Sequence, residues 1–137
     1  MSIIDIDPLT CLIGTEIDRV ESGLGSFINI FSRSRKNEDI YQLWIYMSQW
    51  AITKSDIELI ASDKSENIHI FNFGDIFHSG IYYERIISID HEEIKIIFSD
   101  DLKLELWGDP KAYGIGSVMA HLYRNGSSIG SITLDDA

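Results

Sequence analysis

Gly14-Thr15-Glu16-Ile17-Asp18-Arg19-Val20, near the start of the chain, returns past its middle as Gly80-Ile81-Tyr82-Tyr83-Glu84-Arg85-Ile86. In each copy an apolar residue stands three after the glycine, an arginine five after and a β-branched residue six after. A Phe-Ser pair follows at nearly the same distance, Phe31-Ser32 and Phe98-Ser99. Next comes an apolar run that bears a tryptophan: Tyr41-Gln42-Leu43-Trp44-Ile45-Tyr46 and Leu102-Lys103-Leu104-Glu105-Leu106-Trp107. The echo spans residues 12–52 and 78–113 of a single β-rich domain, residues 1–137. It predicts two similar β units sharing one core.

Outward from the echo, the pattern is of short strands and tight turns. Residues 16–22, 27–31 and 41–47 read as strands of the first copy, and 49–53 continues the sheet. Glycines at 23 and 25 mark a turn, and residues 32–40 form a long polar loop where the second copy has only Ser99-Asp100-Asp101. Ser55-Asp56-Ile57-Glu58 fits a helix N-terminus, with Ser55 capping and Glu58 at the third position. The same stretch also fits a strand, and over 54–65 a strand or a short helical turn is expected. Residues 68–73 (Ile-His-Ile-Phe-Asn-Phe) read as a strand. The second copy supplies 81–89, 92–98 and 102–107, with Asp90-His91 and Ser99-Asp100-Asp101 as its tight connections. Asn125-Gly126 predicts a hairpin joining 118–124 to 127–134, with a helix over 117–124 as the competing reading. The fold class is therefore all-β, or β-rich α+β: a two-sheet antiparallel sandwich or a partly closed barrel. Trp44, Trp50 and Trp107 are expected in its core.

Composition bounds the function. The chain has 137 residues, 45% of them hydrophobic, which suits one globular domain. No apolar run reaches the ~20 residues that cross a bilayer, and no basic segment precedes an apolar one at the N-terminus. A cytoplasmic location is expected. Cys11 is the single cysteine, in the apolar segment 9–13, and reads as a small buried hydrophobe. Against 11 basic residues stand 22 acidic ones, a net charge of −11. Such a surface repels nucleic acid and anionic membranes and attracts basic partners.

Catalytic and cofactor signatures are lacking. His69, His78, His91 and His121 have no second His or Cys at metal-ligand spacing. Asp90-His91-Glu92-Glu93 and the Asp5/Asp7 pair are weak metal candidates, each better read as solvated. Gly114-Ile115-Gly116-Ser117 lacks the third glycine and the βαβ setting of a dinucleotide fingerprint. Arg33, Arg35 and Lys36 are too few for a nucleic-acid groove. No enzyme, cofactor or metal is expected.

With its Gly-led strand–turn–strand halves, its small size and its acidity, the chain resembles the bacterial immunity proteins that neutralise polymorphic toxins, including those of contact-dependent growth inhibition. The resemblance implies a cognate cytotoxin, commonly a basic nuclease, blocked by occlusion of its active site or an adjacent surface. The family has no shared functional residues to carry over. From the residues themselves, the partner-binding candidates are acids on turns and loops: Asp90, Glu92, Glu93, Asp100 and Asp101 in the second copy, with Glu38, Asp39 and Tyr41 at the first copy's long loop. The alternatives are a structural module that self-associates through an edge strand and a small-ligand-binding barrel. In the free state a monomer or homodimer is expected.

Overall fold

The structure, a computed structural model, describes residues 2–3, 5–23, 27–46, 48–89, 93–108, 118–133 and 135–136. Two antiparallel sheets of five strands pack face to face as a sandwich and do not close into a barrel. The first copy contributes β2 (Glu16–Ser22), β3 (Ile28–Arg33) and β4 (Ile40–Ile45). The second contributes β7 (Tyr83–Ile89), β8 (Glu93–Phe98) and β9 (Leu102–Trp107). Each trio is a meander. Each is extended by a hairpin, β5 (Gln49–Lys54) with β6 (Ile57–Ala61), or β10 (Val118–Arg124) with β11 (Ser127–Thr133). A two-stranded sheet of β1 (Ser2–Ile3) and β12 (Asp135–Asp136) joins the chain's two ends.

The hairpins are exchanged. β5–β6 follows the first trio in sequence yet pairs with β9 of the second. β10–β11 follows the second trio yet pairs with β4 of the first. The sheet orders are therefore β11-β10-β4-β3-β2 and β6-β5-β9-β8-β7. Neither half completes its own sheet, and the two are interlocked around one core.

The sequence echo marks the pseudo-symmetry axis. Gly14 and Gly80 both take left-handed backbone, φ 87° and 97°, which glycine adopts without a Cβ penalty. There the two edge strands meet: Gly14 N–H donates to Tyr83 O (2.8 Å), Ile17 N–H to Ile81 O (2.7 Å) and Tyr83 N–H to Thr15 O (3.1 Å). A bulge follows in each, between Ile17 and Arg19 and between Tyr83 and Arg85. The extra residues, Asp18 and Glu84, are both exposed acids, a charge that discourages edge-to-edge pairing.

Strand alternation fills the core. Ile28, Ile30, Leu43, Ile45 and Leu122 point inward from the first sheet. Trp50, Ile52, Ile94, Ile96, Phe98, Leu104 and Leu106 do so from the second. Three two-residue turns, Ser55-Asp56, Asp100-Asp101 and Asn125-Gly126, have positive φ at both positions, the backbone that matches the twist of a hairpin.

Over 54–65 the expected strand or short helical turn is found: Ser55 and Asp56 form the β5–β6 turn, and a strand follows before short helical turns, with no helix capped by Ser55. Other expectations are corrected. Residues 68–73 are not a strand. Ile68 ends a one-turn helix, α1 (Ser65–Ile68), and Phe73–Asp75 is a 3-10 turn. The period-two pattern there is coincidental, because Ile70 is 81% exposed while Ile68, Phe73 and Phe77 are the buried anchors. The hairpin expected of 118–124 and 127–134 is present, with 118–124 a strand rather than the competing helix. Of the three tryptophans only Trp50 lies in the core; Trp44 is half-buried on the outside and Trp107 is 37% exposed. Cys11 is exposed, on a 3-10 turn (Asp7–Leu12) whose buried residues are Leu9 and Leu12. Partial desolvation still pushes its thiol above the usual range, which disfavours the reactive thiolate. The turns expected at 24–26 and 90–91 lie outside the described residues, as does the stretch 114–117.

Candidate functional site

β3, β4 and β10 present an aromatic surface on the outward side of the first sheet. The run Tyr41-Gln42-Leu43-Trp44-Ile45 alternates buried and half-buried, so Gln42 and Trp44 face out while their neighbours fill the core. Register sets Asn29 and His121 on either side of Trp44, and Phe31 and Tyr123 on either side of Gln42. Phe27 and Tyr46 extend the group. Trp44 lies 4.8 Å from Tyr46 and 5.3 Å from His121 between ring centroids, the latter pair stacked at 29°. Phe27 lies 4.8 Å from Tyr46 and meets Trp44 edge-on, at 78° and 6.3 Å. These separations suit attractive ring contacts, so each ring is held in place by its neighbours.

A shallow recess of about 380 Å³ opens on this face, lined by Gly23, Phe27, Asn29, Gln42, Trp44 and Tyr123. The side chains that line it carry two amides, the Tyr123 hydroxyl and the Trp44 indole N–H. Gln42 Nε2 donates to Asn29 Oδ1 at 2.7 Å, fixing both side chains and leaving Gln42 Oε1 with no partner among the described residues. At its margin Arg19 places its guanidinium 3.9 Å from the centre of the Phe31 ring, and Arg19 Nε donates to Glu21 Oε1 at 2.6 Å.

The second sheet supplies the control. Aligning the buried pairs Ile28–Ile45 and Ile30–Leu43 with Ile94–Leu106 and Ile96–Leu104 superposes the two lattices of positions. Where the first sheet has Asn29, Trp44 and His121 in a row, the second has Lys95, Glu105 and Ala51. Where the first has Phe31, Gln42 and Tyr123, the second has Ile97, Lys103 and Thr53. Lys95 and Glu105 pair at 3.8 Å, and Lys103 reaches Asp56 at 3.0 Å. The same scaffold thus folds with Glu105, Ala51, Ile97 and Thr53 at the positions that the first sheet gives to Trp44, His121, Phe31 and Tyr123. Folding does not require the rings there.

The acids expected to contact a partner are dispersed. Glu38 is exposed in the β3–β4 loop. Asp39 beside it is half-buried and accepts from Asn125 Nδ2 at 2.9 Å. Asp100 and Asp101 form the β8–β9 turn of the other sheet. Asp100 pairs with Lys54 at 3.0 Å and His78 at 3.7 Å, and the hydrogen bond from Lys54 holds its carboxyl below the usual range. Glu93 is half-buried on the second sheet's outer face, opposite Trp107 and at the far end of β8 from Asp100. Asp90 and Glu92 lie outside the described residues. Tyr41 is corrected: it is 7% exposed, and its ring belongs to the core rather than to the loop surface. Among the described residues no cluster of three potential metal ligands forms, and no helix is long and apolar enough to cross a membrane.

The aromatic face was missed at the sequence level because tryptophans read as core. The signal that could have found it is the alternation in β4, which makes Tyr41, Leu43 and Ile45 one face and Gln42 and Trp44 the other. No protein-family model matches this chain. Neither does any curated protein or solved structure.

Proposed function

We propose that the protein is a non-catalytic inhibitor that docks onto a basic protein, as the toxin-neutralising immunity proteins that it resembles would. The observation that carries this reading is the aromatic face on a sheet whose symmetry-related partner has Ile97, Glu105, Ala51 and Thr53 where it has Phe31, Trp44, His121 and Tyr123. Rings held outside a core, with polar groups at the margin, are the composition of an interface centre with its rim. The net charge of −11 supplies long-range attraction to a basic partner, and the half-buried rings supply the short-range anchors. Acids on β2 and on the β3–β4 loop, both belonging to this sheet, add to that attraction: Asp18, Glu21 and Glu38.

The test is co-expression with the polypeptide encoded beside its gene. The reading predicts a one-to-one complex, survival of cells that carry the toxin, and a loss of about 2 kcal/mol in affinity (roughly thirtyfold) for Trp44→Ala. An unchanged complex in that variant would move the docking surface elsewhere.

A second reading, self-association, is favoured by β11. Its sequence, Ser127–Thr133, carries no charge, whereas the other sheet edges carry Glu16, Asp18, Arg19 and Glu21 on β2, Glu58 on β6 and Glu84 and Arg85 on β7. Sedimentation of the purified chain separates the two: a monomer that binds its partner one-to-one supports inhibition, and a concentration-dependent dimer with no partner supports self-association.

A further inference from the structure

We infer that the recess between Phe27, Trp44 and Tyr123 receives a cationic side chain, preferably a guanidinium, from the basic partner. The inference rests on the docking reading above and assigns the chemistry of its centre. Two walls of the recess, Phe27 and Trp44, stand nearly perpendicular, at 78°, so one ligand can meet the face of one ring and the edge or face of the other. Aromatic ring faces are regions of negative potential and attract cations placed over them, tryptophan most strongly. Gln42 adds a carbonyl oxygen without a partner among the described residues, held in position by the bond from its own Nε2 to Asn29. A guanidinium offers flat faces for the rings and in-plane N–H groups for that oxygen.

The molecule already makes this contact once on the same face. Arg19 lies over Phe31, the strand neighbour of Gln42, with Glu21 bonded to its Nε. The recess repeats part of that arrangement one row along, with more ring surface and no cation of its own among the residues that line it. Its volume of about 380 Å³ is ample for a long side chain. The overall charge of −11 selects against an anionic occupant.

A direct test titrates the full-length protein with N-acetyl-arginine amide and, in parallel, with the neutral near-isostere N-acetyl-citrulline amide. The side-chain amide resonances of Asn29 and Gln42 and the Trp44 indole are followed by NMR. The arginine probe is expected to saturate in the millimolar range and to shift these groups, with the citrulline probe at least about fivefold weaker. In Trp44→Ala the Asn29 and Gln42 shifts should weaken by a similar factor, while Trp107→Ala leaves them unchanged. Equal binding of the two probes, or shifts that stay linear to the highest concentration reached, would overturn the assignment. So would arginine-probe binding that survives Trp44→Ala. The docking reading stands or falls separately: capture of the partner with no arginine preference keeps the surface and rejects the cation.

Discussion

The outer faces of the two sheets share one lattice of positions and fill it with different chemistry. On the second sheet Lys95, Lys103 and Glu105 form a charged, solvated surface, tied by the Lys95–Glu105 pair and by Lys103 to Asp56. On the first sheet the corresponding positions hold Asn29, Gln42 and Trp44, with Phe31, His121 and Tyr123 beside them. The turns at the two ends differ in the same sense. Where the second sheet joins its turns with Lys54–Asp100, the first uses an amide: Ile40 N–H donates to Asn125 Oδ1 (2.9 Å) and Asn125 Nδ2 to Asp39 (2.9 Å). Because backbone, register and inner faces correspond, the charged sheet shows what the scaffold needs on its outside, and the aromatic sheet shows what has been added. On the proposed docking reading, this contrast separates residues that fold the chain from residues that bind a partner.

The largest effect should come from the inside, where the two sheets are alike. Trp50→Ala empties the biggest fully buried site and should cost about 3–5 kcal/mol in chemical denaturation. Trp107→Ala, at a ring 37% exposed, should cost clearly less. Equal costs would mean that the core is not where the structure puts it. Next come the paired glycines. Gly14→Ala and Gly80→Ala each force a Cβ into left-handed backbone, and although each has open space around it, each should lose about 1–2 kcal/mol. A large difference between them would break the pseudo-symmetry on which the comparison rests.

The smallest effect is electrostatic and confined to the charged sheet. The Asp100 carboxyl is held below its usual range in the folded state by Lys54. A depressed carboxylate stabilises above its unfolded value, near 3.9, and that contribution fades as pH falls through the lower folded value. The acid limb of unfolding should therefore shift slightly in Asp100→Asn, and high salt should reduce the wild-type effect. An NMR titration of this carboxyl that gave an unshifted midpoint would remove the pair from the account.

Much of the fold was legible in the sequence. The echo around Gly14 and Gly80 located the axis, the patterned runs gave nine of the ten strands of the two large sheets, with β6 left between a strand and a short helical turn, and Asn125-Gly126 gave its hairpin. These signals are local, set by side-chain period and turn chemistry. What was not legible depended on long-range partners. The exchange of the β5–β6 and β10–β11 hairpins is a matter of which strand lies beside which, and composition does not encode it. Residues 68–73 carry a strand's period with no strand to pair with among the described residues, and the burial of Ile68, Phe73 and Phe77 overrode it. The candidate site was largely illegible for a related reason. The dispersed acids were visible as charges, but the recess is assembled from β3 and β4 with Gly23 and Phe27, and from β10, which lies far along the chain and is brought beside β4 only by register.

The central claim, that the aromatic face serves docking rather than folding, is tested most directly by giving the first sheet the second sheet's residues. In the double variant Asn29→Lys with Trp44→Glu, the adjacent pair takes the charges found at Lys95 and Glu105. The account predicts a protein that unfolds cooperatively within about 1 kcal/mol of the parent, since the substituted positions are outside the core and the new pair can form a surface ion pair. It also predicts that the partner is no longer captured. Undiminished capture, or a chain that fails to fold, would contradict it.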